Sequence, residues 1–157
     1  MDVDNIVQTE VKPKAKPFTM ALGGDRFVSL TEWNDTKRVD IRRWLYGKQP
    51  TKDGASLLLN EWKILCNHTD EIENQMLRAK DEHVNWQWPL GRGFHLSVST
   101  PNLVIRKFCT SRGYQHMRYV GIDLNRNEWK RLREAMPLIE EREPELRQLI
   151  PLYRTDF

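Results

Sequence analysis

A repeated run of residues constrains the fold of this chain more than any other feature of its sequence. Asn60–Leu65 reads Asn-Glu-Trp-Lys-Ile-Leu, and Asn127–Leu132 reads Asn-Glu-Trp-Lys-Arg-Leu, 67 positions later. Self-similarity at a fixed spacing is the signature of a duplicated structural unit. Further matches keep the same order along the chain: Phe27 with Phe94, Gly54 with Gly121, Leu57 with Leu124, and Ile41–Trp44 with Ile105–Phe108.

The duplication divides the 157 residues into two small units. We predict a basic arm at 1–18, a first unit at 19–79, a connector at 80–92 and a second unit at 93–157. A unit of roughly 60 residues is only marginally stable by itself. We therefore expect the two units to pack on each other within one chain, as a monomer with an internal pseudo-twofold axis rather than a homodimer.

Each copy reads as several strands followed by a helix. In the first copy, Arg26–Leu30 and the alternating Val39–Trp44 predict strands, Gly47–Gly54 a loop, and Ala55–Leu59 a further short strand. Asn60 is a preferred residue for a helix N-cap. The apolar stripe of the helix that it would begin is Trp62, Leu65, Ile72, Met76 and Leu77.

The second copy repeats this pattern with small changes. Asn102–Thr110 and Met117–Leu124 are its clearest predicted strands. Asn127 is the expected cap of a helix that Pro137 and Pro144 should kink or break. Trp62 and Trp129 begin the two helical stripes, so we expect them in the core, and we expect Trp86 and Trp88 to pack where the copies meet.

Charge is distributed unevenly although the net charge is only +3. The segments 26–52 and 92–118 are basic, and the second of them contains no acidic residue. The segments 66–83 and 133–147 are acidic. Basic strands and acidic helices can therefore coexist with a small net charge, which predicts a positive sheet surface.

The motifs of the first copy resemble one known family, the C-terminal domain of the RNA polymerase II transcriptional coactivator "positive cofactor four". The resemblance rests on Arg26–Leu30, Trp33, Val39–Arg42 and the run Pro50-x-x-x-Gly54-x-Ser56-Leu57 before a tryptophan-containing helix. It covers about residues 20–78 well and about 93–150 more loosely. It implies an α+β fold of two tandem β-β-β-β-α units, each a curved antiparallel sheet with a C-terminal helix, packed as an intramolecular pseudo-dimer.

The resemblance implies a transcriptional cofactor that binds single-stranded DNA in β-sheet channels. A positive groove with aromatic faces is also what single strands require physically, because each phosphate is charged and each base has a π-face. Candidate stacking and phosphate-binding residues in the first copy are Trp33, Lys37, Arg38, Arg42, Trp44, Tyr46, Lys48 and Lys52. Those in the second copy are Arg106, Lys107, Phe108, Arg112 and Arg118, with Tyr114 and Tyr119 as further aromatics.

The two copies should bind unequally. The position of Trp33 aligns with Thr100 in the second copy, where no aromatic residue replaces it. The family's second stacking aromatic aligns with Leu45, so Trp44 or Tyr46 would have to substitute for it. We therefore expect the first copy to stack bases better than the second.

Two other functions fit the same surface. The chain could be an RNA-binding protein or a replication and repair accessory protein, with RNA or melted duplex as its ligand, or its basic face could dock an acidic protein partner. We expect no enzymatic activity, cofactor or metal site, because no catalytic or metal-binding motif appears in the sequence. We expect no membrane partner, because the apolar runs are no longer than about three residues, as at Leu57–Leu59, against the roughly 20 needed to span a bilayer. Partners would include the transcription machinery. A nuclear location is expected, with cytoplasmic, viral and prokaryotic settings left open.

Overall fold

The computed structural model describes residues 18–110 and 117–150, with the side chains of 108–110 and 117–118 left aside. The predicted basic arm, apart from Phe18, lies outside the described residues, as do Arg112 and Tyr114. Two four-stranded antiparallel sheets account for most of the described chain. Each sheet is a meander whose strands pair in sequence order, and each is followed by helices. The predicted α+β fold of two tandem units is confirmed.

The first sheet contains β1 (Phe18–Gly23), β2 (Arg26–Trp33), β3 (Thr36–Leu45) and β4 (Gln49–Leu58). The second contains β5 (Gln87–Gly91), β6 (Phe94–Ser99), β7 (Asn102–Thr110) and β8 (Met117–Leu124). The predicted bounds of β7 and β8 are confirmed. Strand β5 lies inside 80–92, which the sequence analysis interpreted as a connector. It pairs with β6 as the edge of the second sheet, so the second unit begins before residue 93.

The helices are α1 (Leu59–Cys66) and α2 (Thr69–Arg78) after the first sheet, and α3 (Arg126–Arg142) and α4 (Glu145–Gln148) after the second. The single predicted stripe of the first copy is thus split between two helices at Asn67 and His68. Leu77 of that stripe is exposed, whereas the other four members are buried. Helix α3 continues through Pro137, and Pro144 follows its end.

The predicted helix caps are wrong by two residues. Helix α3 is capped by Asn125, whose side chain accepts a hydrogen bond of 2.8 Å from the Glu128 backbone N–H. Glu128 returns the contact by accepting from the Asn125 N–H at 2.7 Å. In the first unit Leu58 holds the equivalent place, and its N–H donates to Glu61 at 2.8 Å. The glutamate three residues after the cap fixes where each helix begins, because it completes a capping box or half of one.

The predicted loop at Gly47–Gly54 is also wrong, since only Tyr46–Lys48 form the turn and β4 starts at Gln49. Strand β4 is irregular there. Arg42 pairs with Gly54 and Trp44 pairs with Pro50, so β4 places four steps opposite two steps of β3. This bulge accommodates the proline and the polar residues that suggested a loop.

Strand register corrects the proposed match between Phe27 and Phe94. Phe27 lies opposite Arg42, and the residue opposite Arg106 is His95. Phe27 is therefore equivalent to His95. Phe94 points toward the core and is buried, whereas Phe27 is only partly buried.

The hairpin that joins β2 and β3 is longer than its counterpart in the second unit. Two extra residue pairs, Glu32 with Lys37 and Trp33 with Thr36, close it in the first unit. In the second unit the last pair is Ser99 with Asn102. This difference of four residues changes the spacing between equivalent residues, from 68 at Phe27 and His95 to 64 at Arg42 and Arg106. It also removes the position of Trp33 from the second unit altogether.

One hydrophobic core includes side chains from both units. Trp62 and Trp129 are 1% and 3% exposed within it, as predicted. Trp86 and Trp88 pack against the same core, and the Trp88 ring lies 4.4 Å from the ring of His68 in the first unit. Helix α3 packs mainly on β1 of the other unit, and α1 contacts β5. Helices α1 and α3 therefore each help to cover the other unit's sheet.

Candidate nucleic-acid interface

The outer face of the first sheet, opposite the core, carries Thr31, Trp33, Arg38, Asp40 and Arg42. Val28, Leu30, Val39 and Ile41 alternate with these residues and are buried on the other face. A strand directs successive side chains to opposite faces, so burial of one set leaves the other toward solvent. The predicted separation of Val39 and Ile41 from Arg42 is thus confirmed.

Trp33 is held at the tip of this face by a two-residue turn. Asn34 and Asp35 both have positive φ, 49° and 60°. That combination is typical of the type I′ hairpin turn, which asparagine and aspartate tolerate. Trp33 is 74% exposed, so the core gains little from it. An indole in this position offers a π-face to a ligand.

Arg42 is oriented by contacts within the sheet. Its Nε and Nη2 donate to the two Asp40 carboxylate oxygens at 3.1 Å and 3.0 Å. Its Nη1 donates to the Thr51 carbonyl oxygen at 2.8 Å. The side chain crosses Gly54, where any Cβ would lie 2.6 Å from the guanidinium carbon. A guanidinium has five N–H donors, so two are left for a ligand.

Two of the predicted binding residues face the core side instead. Lys37 has the same parity as Val39, and its Nζ lies 2.8 Å from Glu143 and 3.8 Å from Glu145 near the C-terminal helix α4. The hydrogen bond with Glu143 raises the pKa of Lys37. Lys107 has the parity of Ile105, and its Nζ lies 4.8 Å from the centre of the Phe94 ring. Because successive residues of a strand point to opposite faces, alternation alone would have placed both lysines on the face opposite the arginines next to them.

The other first-unit candidates lie beyond the Arg42 end of the sheet. Tyr46 is 91% exposed in the turn, and Lys48 and Lys52 are exposed beside it. Trp44 is partly buried, and its indole nitrogen is buried without a hydrogen-bond partner among the described residues. Trp44 therefore packs, and Tyr46 is the more accessible aromatic residue of this pair.

In the second sheet, Arg106 lies on the outer face and its guanidinium carbon sits 4.8 Å from the centre of the Tyr119 ring. Val104 replaces the acid that orients Arg42, because Val104 is equivalent to Asp40. Phe108 and Arg118 occupy described backbone positions in β7 and β8, opposite Tyr119 and Cys109. Their side chains, and all of Arg112, lie outside the described residues.

An open groove of about 580 Å³ lies where the two units meet. We call it the junction groove. Sequence analysis missed it because its walls come from distant segments: the turn at 24–26, Arg43, Asp53, Arg106, Tyr119 and 121–123. Arg26 bridges the units there, donating to the Asp123 carbonyl oxygen at 2.8 Å and to its carboxylate at 3.1 Å.

Within 18–110 and 117–150, no cluster of three or more metal-ligating side chains is found. In the same ranges no helix is long and apolar enough to cross a membrane.

The fold and the interface define a class: a tandem β4-α protein with a basic, partly aromatic outer face on its first sheet. Residues 20–68 match the model of one family, described as Transcriptional Coactivator p15 (PC4). The resemblance inferred from the motifs of the first unit is thereby confirmed over these residues. Searches of curated proteins and of solved structures gave no match.

Proposed function

We propose that the chain is a non-enzymatic, single-stranded DNA-binding protein of the transcriptional coactivator type. In this proposal the single-stranded DNA lies on the outer face of the first sheet. The observation that carries this proposal is the placement of the exposed Trp33 on the same face as Arg38 and Arg42, opposite the core. The family match over 20–68 supports it, because those residues include the whole face from Trp33 to Ser56.

Trp33 supplies the stacking surface in this proposal, and the arginines supply the charge. Stacking of one base on an aromatic side chain contributes about 1–3 kcal/mol. Arg38 lies between Trp33 and Arg42 along the outer row, so a backbone passing from the turn toward Gly54 would cross both guanidinium groups. Asp40 holds Arg42 in place beforehand, which lowers the entropy cost of binding.

We infer further that one chain is sufficient for binding. The two units bury each other's sheets and share one core, so the monomer contains both halves of a pseudo-dimer. The transcription machinery would be the protein partner and the nucleus the location, as the coactivator family implies.

Paired variants at adjacent positions on opposite faces test the proposal. Arg38→Ala should weaken binding of oligo(dT) and lower the salt slope of log K by about one unit, because one phosphate contact is lost. Lys37→Ala removes the same charge from the other face and should leave both values unchanged. Equal effects of the two variants would mean that the outer face is not the binding surface.

Competition between nucleic acids separates this function from the alternatives. We expect single-stranded DNA to compete better than duplex DNA in fluorescence anisotropy at fixed salt. Equal or stronger competition by RNA would indicate the RNA-binding function instead. Absence of binding by every nucleic acid would favour a protein-docking role for the basic face.

A further inference from the structure

The junction groove combines two polar pairs, one from each unit. The first unit contributes Arg43 and Asp53, whose Nη1 and Oδ2 atoms lie 3.5 Å apart. The second contributes Arg106 and Tyr119, which are stacked at 4.8 Å. Neither unit alone could form this site, because each provides only one pair.

The Tyr119 ring, on which Arg106 is stacked, offers a surface for a base. The Tyr119 side chain is 55% exposed although Arg106 covers part of its ring. Arg106 itself is exposed, and its guanidinium contacts the Tyr119 ring. It can therefore follow a phosphate while a base contacts the ring of Tyr119.

The charge of the groove disfavours the nucleic-acid backbone as its main ligand. Its lining includes three arginines and three aspartates. Asp123 is engaged by Arg26 and by the Asn102 side chain, at 3.1 Å each. Asp53 is 62% exposed and its Oδ2 lies 3.5 Å from Arg43 Nη1, so its carboxylate can accept from a ligand. A neutral group with both donors and acceptors fits such a lining better than a phosphate does.

We propose that the junction groove is a nucleobase pocket with a preference for guanine. This inference rests on the proposed function, since the base belongs to the bound single strand. Guanine presents two adjacent donors, N1–H and N2–H, beside the acceptors O6 and N7. Asp53 accepts from the donors, and Arg43 donates to O6 and N7, the commonest specific contact of arginine with a base.

The spacing of the two side chains agrees with this assignment. The donor and acceptor edges of guanine are neighbours, as are the Asp53 carboxylate and the Arg43 guanidinium, whose nearest atoms lie 3.5 Å apart. Adenine would place the N1 lone pair against Asp53, which is repulsive. The pocket therefore selects guanine by repelling adenine as well as by attracting guanine.

The pseudo-twofold axis does not generate a second pocket of this kind. Register makes Pro50 equivalent to Tyr119, since Trp44 pairs with Pro50 and Phe108 with Tyr119. Gly54 and Gly121 are likewise equivalent, so Val120 takes the place of Asp53. One base should be read per protein chain, at one position of the strand.

The test compares short oligo(dT) strands that carry a single central dG, dA or deoxyinosine. We expect the dG strand to bind about tenfold tighter than the dA strand, within the range for one bidentate base contact. Deoxyinosine lacks the N2 amine and should fall between the two. Affinity is measured by fluorescence anisotropy at fixed salt with the full chain.

Variants show whether the groove produces the preference. Asp53→Asn should abolish the preference for dG but retain binding of oligo(dT). Tyr119→Ala should weaken binding of the dG strand more than binding of the other strands. Asp81→Asn, an exposed acid outside the groove, is the control. Circular dichroism confirms that each variant is folded.

The outcomes distinguish the two proposals. Equal affinity for dG, dA and oligo(dT), or a preference that persists in Asp53→Asn, overturns the pocket and leaves single-strand binding intact. Failure of every strand to bind overturns the proposed function together with the pocket.

Discussion

Arg92 and Glu61 lie 31 residues apart in the chain and join its two units through paired hydrogen bonds. Arg92 Nε donates to Glu61 Oε2 at 2.8 Å, and Nη2 donates to Oε1 at 2.7 Å. Glu61 is 2% exposed and also accepts from the Leu58 N–H that begins α1. Hydrogen bonding to Glu61 raises the pKa of Arg92. The same carboxylate thus starts a helix and anchors the other unit.

The second unit repeats this arrangement with different arginine placement. Glu128 caps α3 and lies 3.7 Å from Arg26 of the first unit. It also lies so close to Gly24 that a Cβ there would be 2.5 Å from its carboxylate. Gly24 is equivalent to Arg92 in strand register, since Gly23 pairs with Arg26 and Gly91 with Phe94. The two units therefore hold each other's helix starts reciprocally.

Removal of Arg92 should destabilise the fold. Arg92→Ala leaves a buried carboxylate without its cation, and we expect a loss of about 2–4 kcal/mol in the free energy of unfolding. Urea denaturation measures it. Arg131→Ala is the control, because its partner Glu134 is half exposed and such pairs contribute roughly 0–1 kcal/mol. Similar losses in both variants would contradict a special role for the buried pair.

The position of the cap of α3 can be tested with two asparagines. Asn125→Ala should cost about 1 kcal/mol of stability, because the Glu128 N–H loses its acceptor. Asn127→Ala changes an exposed residue inside the helix and should cost less or nothing. Thermal or chemical denaturation compares the two, and a larger effect at Asn127 would restore the cap predicted from sequence.

Trp33→Ala should weaken single-strand binding by about 5- to 100-fold, the range expected for loss of one stacked base. Stability should hardly change, since the side chain is 74% exposed. In the wild type, addition of oligo(dT) should quench part of the fluorescence of the six tryptophans. Quenching that is unchanged in Trp33→Ala would show that another tryptophan reports on the ligand.

Alkaline pH should weaken the contact between Lys37 and Glu143. The pKa of Lys37 is raised from 10.5 in the folded protein, chiefly by that hydrogen bond. Its contribution is therefore complete below the unfolded pKa and is lost as the pH rises through the folded value. The stability difference between wild type and Lys37→Met should stay constant from neutral pH to about pH 10 and shrink above it. A difference that stays unchanged well above pH 10 would contradict this linkage.

Cys66 should react slowly with iodoacetamide in the folded protein. Burial raises the pKa of its thiol from 9.0 to about 12, so little nucleophilic thiolate forms at pH 8. Alkylation in a Cys109→Ser background, followed by mass spectrometry, should be much faster in urea than in buffer. Equal rates would show that the thiol is accessible in the fold.

The repeat and the alternation of the strands were sufficient to predict the fold class. Both follow from local rules: Val39 and Ile41 recur at every second position, and Trp62 and Trp129 begin equivalent helices. The placement of Trp33 at a hairpin tip also followed from the polar residues after it. The predicted caps were wrong because Asn60 and Asn127 suit a cap chemically, whereas Glu61 and Glu128 determine the start through their contacts.

Position along the strand divides the predicted site residues between the two faces of each sheet. Arg38, Arg42 and Arg106 have the outer parity, and Lys37 and Lys107 have the core parity. A search for positive charge alone treats these residues alike. The lysines could be placed only after the register of each strand was known, because a shift by one residue exchanges the two faces.

The sequence by itself determined that this protein contains two sheet-and-helix units and that one copy resembles a DNA-binding coactivator domain. These are properties of local pattern and of motif order. Tertiary structure alone decided which helix covers which sheet, which cations are bound to acids, and that Arg43 and Asp53 meet Arg106 and Tyr119 in one groove. Those relationships join residues far apart in the chain, and their geometry arises only when the two units share a core.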